Sequence, residues 1–161
     1  MLSGKLVHLI ESHWEEITSS VIARIRREPP MEHYRARVES ELREWGQVLL
    51  QNLGHWLTAG AGEEIGHRYE ELGRQRFEAD VPLHESVRCL CFVRERVLDF
   101  VEERVFSKST LDLYAEEELD RHLGRFFDTL TIHMVKGYEE ALRKDTSARH
   151  VTPPSHVGAS R

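Results

Sequence analysis

Ten histidines are scattered through the 161 residues, and the first question is whether any of them is spaced to do chemistry. Glu64-Ile65-Gly66-His67 has the Glu-x-x-His spacing that sets a carboxylate and an imidazole on one face of a helix. A carboxylate-bridged di-iron bundle needs two such motifs and glutamates from two further helices. The sequence contains one, inside a stretch dense in glycine and charge, so an exposed helix accounts for it. His84-Glu85-Ser86-Val87-Arg88 begins like the zinc-protease helix His-Glu-x-x-His but carries arginine at the fifth place, where a metal ligand is required. Cys89 and Cys91 stand two apart, which turns them to roughly opposite sides of a helix; they read as buried, reduced thiols and not as a disulfide or metal half-site. Gly-x-Ser-x-Gly, the phosphate-binding P-loop and Gly-x-Gly-x-x-Gly are all absent, and no nucleophile, base and orienting group can be grouped from spacing. The chain is expected to be no enzyme and to have no catalytic, cofactor-binding or metal-ligating residues.

Haem is the cofactor alternative, since one neutral histidine on a helix beside an apolar pocket suffices to hold it. His133, next to Met134, flanks the apolar stripe of the last helix, and His13 flanks that of the first. A histidine at the margin of a stripe ordinarily packs and hydrogen bonds there, so packing is the expected role for both. The haem-binding gas or redox sensor is kept as the alternative.

These residues must be positioned by helices, because glycine and proline punctuate the chain into blocks of helical period and no sustained two-residue alternation occurs. Leu6, Leu9, Ile10, Trp14, Ile17, Val21 and Ile25 recur at three- and four-residue steps and predict a first helix over about 3–27, ended by Pro29-Pro30. Leu42, Trp45, Leu49, Leu53 and Trp56 predict a second, from near His33 to the Thr58–Gly62 glycine pair. Gly46 and Gly54 within it point to close helix approach.

A third helix over about 63–78 offers only Ile65, Tyr69, Leu72 and Phe77 to a core, and is expected to lie outermost. A fourth opens near Asp80 and Pro82, and its stripe is widened by Cys91, Phe92, Val93 and Phe100, which places it centrally. A fifth is capped by Ser109 and Asp112 and runs to about Lys144. The expected core is Trp14, Ile17, Trp45, Leu49, Leu53, Val87, Leu90, Val97, Leu123, Phe126, Leu130 and Met134. Residues 1–145 thus form one all-α domain of about five helices with a long C-terminal helix, and 146–161 a disordered tail or linker.

A formal net charge of −6 gives no general attraction to nucleic acid or anionic lipid, and Arg24, Arg26 and Arg27 are answered by Glu28 and Glu32. Neither a signal peptide nor a membrane-spanning run is legible, so the chain reads as cytoplasmic.

Three stretches, "RVESELREWGQVLLQNL" at 37–53, "VPLHESVRCLCFVRERVLDFV" at 81–101 and "LDRHLGRFFDTLTIHMVKGYEEAL" at 119–142, resemble the N-terminal sensory domain of RsbR-type stressosome proteins, the RsbT co-antagonists. The resemblance implies a globin-like domain without haem that forms a homodimer and passes a stress-response signal to a downstream signalling protein or output domain. The 16 residues after Asp145 are too few for an output domain, so the sequence is expected to be either a stand-alone sensor or a piece of a longer chain. Excess apolar girth on the fourth helix and the length of the fifth also favour a partner copy, with Leu90, Val97, Val101, Phe127 and Tyr138 as candidate dimer contacts. A small-molecule ligand is compatible with such a sensor but is not identified by the sequence.

Overall fold

The structure, a computed structural model, describes residues 4–37, 39–104 and 109–151. It is all-α, without a strand among the described residues, and ends in the long helix that the periodicity predicts. Among the described residues eight α-helices replace the expected five: α1 Gly4–Ser12, α2 Trp14–Arg27, α3 Glu32–Arg35, α4 Glu39–Gly46, α5 Leu53–Trp56, α6 Gly62–Glu78, α7 Leu83–Arg104 and α8 Thr110–Val151.

The extra helices come from breaks that need neither proline nor glycine. The predicted first helix is interrupted at His13, whose backbone leaves the helical region (φ −118°, ψ 23°) while its ring Nδ1 donates to the Leu9 carbonyl at 2.9 Å. Apolar spacing runs straight through this residue, so the pattern alone reads as one rod. The predicted second helix is divided into α3, α4 and α5, with a π-helical turn over Gln47–Gln51 between the last two. A π turn inserts a residue into the helical ladder and frees backbone carbonyls, and that of Val48 is satisfied by the Trp56 indole N–H at 2.8 Å.

Nine of the twelve expected core residues are buried; Trp14, Trp45 and Val87 are half-buried at its edge. The π turn contributes Leu49 and Leu50, while Val97 and Phe100 of α7 meet Leu119, Leu123, Leu130 and Met134 of α8 in the same core. At the start of α8, Ser109 Oγ accepts from the Asp112 N–H at 3.2 Å and the Asp112 carboxylate accepts from the Ser109 N–H at 3.0 Å, the reciprocal cap expected from these two residues.

The third predicted helix is not outermost. As α6 it makes the most extensive helix contact of the fold, along α8, and buries Ile65, Gly66, Tyr69, Glu70, Leu72, Gly73 and Arg76. Its shortage of large apolar side chains reflects closeness and not exposure. A Cβ on Gly73 would lie 2.1 Å from the Met134 carbonyl oxygen, and one on Gly137 would lie 1.9 Å from that of Glu70. Phe77 is only half-buried and meets Tyr138 edge to face, ring centroids 5.3 Å apart. The expectation for Gly46 and Gly54 holds, since a Cβ would meet the Thr18 side chain at 2.3 Å in the first case and Glu11 at 3.2 Å in the second.

Helix α8 continues to Val151, beyond the expected end at Lys144, and its last buried residue is Gly137. The stretch from Tyr138 to Val151 is therefore a helical arm of about 20 Å at 1.5 Å per residue. The remainder of the predicted tail, residues 152–161, lies outside the described residues.

Candidate functional site

A cavity of about 70 Å³ opens where α2, the π turn, α6, α7 and α8 converge. Its walls are largely apolar, with Ile22, Leu49, Leu50, Leu72, Leu90 and Met134 among them. Thr18, Tyr34, Arg76 and Ser86 are among the lining residues that bring polar atoms, and each of these four reaches the cavity for a local reason. Thr18, Arg76 and Ser86 occupy core phase on their helices: Thr18 falls in step with Trp14, Val21 and Ile25, Arg76 with Ile65, Tyr69 and Leu72, Ser86 with Leu90, Val93 and Val97. Tyr34 is brought in by the short helix α3, held from below by Glu85, whose Oε2 accepts from the backbone N–H groups of His33 and Tyr34 at 3.0 and 3.1 Å.

These groups form a chain at one end of the cavity. The Tyr34 hydroxyl donates to Ser86 Oγ at 2.9 Å and accepts from Arg76 Nε at 3.3 Å, while Arg76 Nη1 donates to Glu41 Oε1 at 2.8 Å. Arg76 is only 2% exposed; burial by itself would lower its pKa, but Tyr34 and Glu41 outweigh that and raise it. Glu41 is opposed by its own burial, yet Arg76 and then Arg37 hold its carboxyl below the usual range. Burial pushes the Tyr34 hydroxyl and the Cys89 thiol up to about 12 each, and raises Tyr69 as well. At neutral pH the cavity therefore holds one ion pair, already matched, and no thiolate or phenolate nucleophile. Thr18 is different: 5% exposed, it has no hydrogen-bond partner for its Oγ1.

The described histidines are placed elsewhere, and none of them lines the cavity. His133 sits at the α6–α8 crossing with its ring against Gly66, where a Cβ would come within 2.7 Å of Nε2. Its Nδ1 is 3.4 Å from Glu70 Oε2, an oxygen that His67 Nδ1 approaches to 3.2 Å, while Lys136 Nζ is 3.3 Å from Oε1. Burial would raise the Glu70 carboxyl; Lys136 and then the two imidazoles lower it instead. His133 thus joins two helices by packing, with its Nδ1 near the Glu70 carboxylate but not hydrogen bonded. His67 pairs with Glu70 in place of Glu64, which is near His55 at 3.8 Å and Arg68 at 3.7 Å. His13 packs on Phe100 with ring centroids 5.3 Å apart. Among the described residues no group of three or more His, Cys, Asp or Glu could hold a metal ion, and the cavity is several times smaller than the roughly 300–1,000 Å³ of pockets for large ligands. Cys89 turns toward the cavity, but Cys91 is exposed, contrary to the expectation of two buried thiols.

The five candidate dimer positions lie mostly inside the single chain. Leu90, Val97, Val101 and Phe127 are 6, 0, 3 and 3% exposed and pack in its own core, and Tyr138 is half-buried. Exposed apolar residues gather instead on α8: Leu111, Leu113, Tyr114, Ile132, Leu142 and Val151. The girth of α7 is consumed by α2 and α8, two contacts that its sequence alone does not disclose.

The sequence from residue 15 to 151 matches the family model described as the RsbT co-antagonist protein RsbRD N-terminal domain. The chain belongs to this family. No curated protein and no solved structure matches it. Membership makes it a signalling domain of the stress-response type. Among the described residues no helix is long and apolar enough to cross a membrane.

Proposed function

We propose that this RsbRD N-terminal domain is a non-catalytic, dimeric sensor of the stressosome type, acting in the cytoplasm on a downstream signalling protein of the kind the family description points to, RsbT. The observation that carries the reading is α8. It runs through the core from Leu119 to Gly137 and extends past it at both ends with apolar side chains exposed. Tyr114 and Ile132 are 18 positions apart, about five helical turns, and so share one face, to which Leu111 adds a further contact. A second copy packed on this face would bury side chains that water otherwise surrounds, and would give α8 two environments to choose between. The contact positions are then Leu111, Tyr114 and Ile132, lying outside the core residues Leu90, Val97, Val101 and Phe127 that the sequence pattern nominates. The domain proper is residues 1–145 and the following segment a connector, on a globin-like arrangement.

The non-catalytic reading is supported by the cavity, whose ionisable groups are neutral or paired and offer no poised base or nucleophile. Light scattering on the purified chain tests the dimer: twice 18.8 kDa is expected, and Ile132→Glu should return the mass to 18.8 kDa with an unchanged helical circular dichroism spectrum. A wild-type monomer at micromolar concentration, or a variant that keeps the dimer mass, would refute the α8 interface.

A further inference from the structure

We infer that the cavity between α2, the π turn and α7 is a binding site for a small uncharged molecule with one hydrogen-bonding group, of the alcohol or carbonyl class, held at Thr18 Oγ1. The inference deepens the sensor reading, on which its regulatory meaning rests, by naming what the sensor takes up. Three observations converge. The space lies among core residues and measures about 70 Å³ against the roughly 150 Å³ that admits benzene, so it suits a molecule of about three or four non-hydrogen atoms. Thr18 Oγ1 lies in the cavity wall against Gly46, buried and without a partner, and a buried hydroxyl left unpaired is disfavoured, so an occupant to which it can turn and hydrogen bond is selected. A π turn forms one wall through Leu49 and Leu50, and such turns are frequent at functional sites.

The walls also decide the charge of the occupant. Arg76 is the buried cation at the polar end, and Glu41 already neutralises it at 2.8 Å. Tyr34 both donates to Ser86 and accepts from Arg76, so its hydroxyl is engaged. A carboxylate or ammonium ligand would lose its hydration without gaining a free counterion, whereas a neutral amphiphile loses little and fills apolar space. So small a ligand binds at about millimolar concentration, the range expected for a sensor of an abundant metabolite or solvent-like stress compound.

The test uses the intact chain with ¹³C-labelled methionine and leucine methyl groups and three matched probes: 1-propanol, propionate and propylammonium. 1-Propanol should shift the Met134, Leu49 and Leu50 methyl signals saturably, and the two ions should leave them in place. Thr18→Val, nearly identical in shape, should weaken 1-propanol roughly threefold to tenfold while leaving xenon, a purely apolar probe, bound as before. Absence of a saturable shift would mean a cavity that holds water only and would overturn the site. Equal response to propionate would overturn the uncharged class, and an unchanged propanol affinity in Thr18→Val would overturn the anchoring role of Thr18. Because the signal comes from the cavity walls, it is independent of chain mass: a monomer that binds propanol removes the dimer and keeps this site, and a dimer that binds nothing does the reverse.

Discussion

Replacing Gly137 by alanine should destabilise the protein although alanine is the better helix former. In an unconstrained helix interior the change favours folding by about 1 kcal/mol. Here the new Cβ would lie 1.9 Å from the Glu70 carbonyl oxygen, and since ordinary contact begins near 3.4 Å, α6 and α8 must part by 3.4 − 1.9 = 1.5 Å. Neither side can turn aside, because a backbone carbonyl has no rotamers. A gap of 0.5–1 Å already forfeits a quarter to a half of the dispersion attraction across it, and overpacking typically costs about 1–3 kcal/mol. Taking the upper end and subtracting the helix preference leaves a net loss of about 2 kcal/mol, or a melting temperature lower by roughly 4–8 °C for a chain of this size. Gly73→Ala should behave alike, requiring 3.4 − 2.1 = 1.3 Å against the Met134 carbonyl. The informative measurement is the double variant, by thermal and urea unfolding at one protein concentration. A single separation of the two helices relieves both clashes, so the double variant should lose less than the sum of the singles by about 1 kcal/mol or more. Gly62→Ala, with nothing within 4 Å of its Cβ, is the control and should not destabilise. Strict additivity, or a stabilised Gly137→Ala, would show that the helices do not meet backbone to backbone at these glycines.

Thr18→Val should raise the melting temperature by roughly 2–4 °C, because about 1 kcal/mol is recovered when an unpaired buried hydroxyl becomes a methyl; a fall would mean that Thr18 has a partner in solution. Glu41 has a lowered carboxyl pKa, so the stability it contributes is fully present above the ordinary carboxylate value and is lost as the pH falls through its own lower one. The gap in melting temperature between wild type and Glu41→Gln should therefore narrow between about pH 6 and pH 3, and a gap independent of pH would detach Glu41 from Arg76. Truncation after Asp145 removes the exposed residues 146–151 together with the segment beyond them and should leave the melting temperature within about 2 °C; a large drop would reveal that the arm docks.

Helix class, the buried faces and the cap at Ser109 were legible because each rests on local chemistry: a period near 3.6, an apolar stripe, a hydroxyl three places before a carboxylate. The interruptions at His13 and over Gln47–Gln51 were not, since apolar spacing continues across both and the backbone departs for tertiary reasons. The misplacement of α6 has a definite cause. Burial was sought in large side chains, yet Gly66, Gly73 and Gly137 bury a helix by having none, and a glycine counted only as a weak helix former hides that use. The burial of Leu90, Val97 and Val101 within the single chain has a related reason: apolar girth on α7 is covered by α2 and α8, contacts that its own sequence does not disclose. Three cavity residues did leave a trace. Thr18, Arg76 and Ser86 are polar residues in core phase, and asking why a stripe is interrupted there would have found them, although which of them meet could come only from the tertiary structure.

The positions of the cavity and the glycine crossing explain how an occupant would reach α8. Met134 forms part of the cavity wall, and its carbonyl oxygen is the atom against which Gly73 packs. Its neighbour His133 fills the notch at Gly66 and approaches the Glu70 carboxylate, and Gly137, one turn further, rests on the Glu70 carbonyl. Within Gly66–Gly73 of α6 and His133–Gly137 of α8, the two helices meet backbone to backbone at Gly73 and Gly137, ring to backbone at Gly66, and through the charged cluster at Glu70. Backbone contact of this kind cannot absorb a displacement by changing rotamers, so pressure on Met134 moves the helix as a body or leaves it in place. The arms of α8 beyond this point, with Tyr114 on one side and Leu142 on the other, would then carry a shift of the crossing outward to whatever packs on them. That places the test of coupling at Met134: truncation to alanine enlarges the cavity and should let 1-propanol bind without altering the α8 surface, so that the probe's effect on dimer mass or partner binding is lost while its methyl shifts at Leu49 and Leu50 persist. If both persist together, the cavity and α8 are coupled by a route other than Met134.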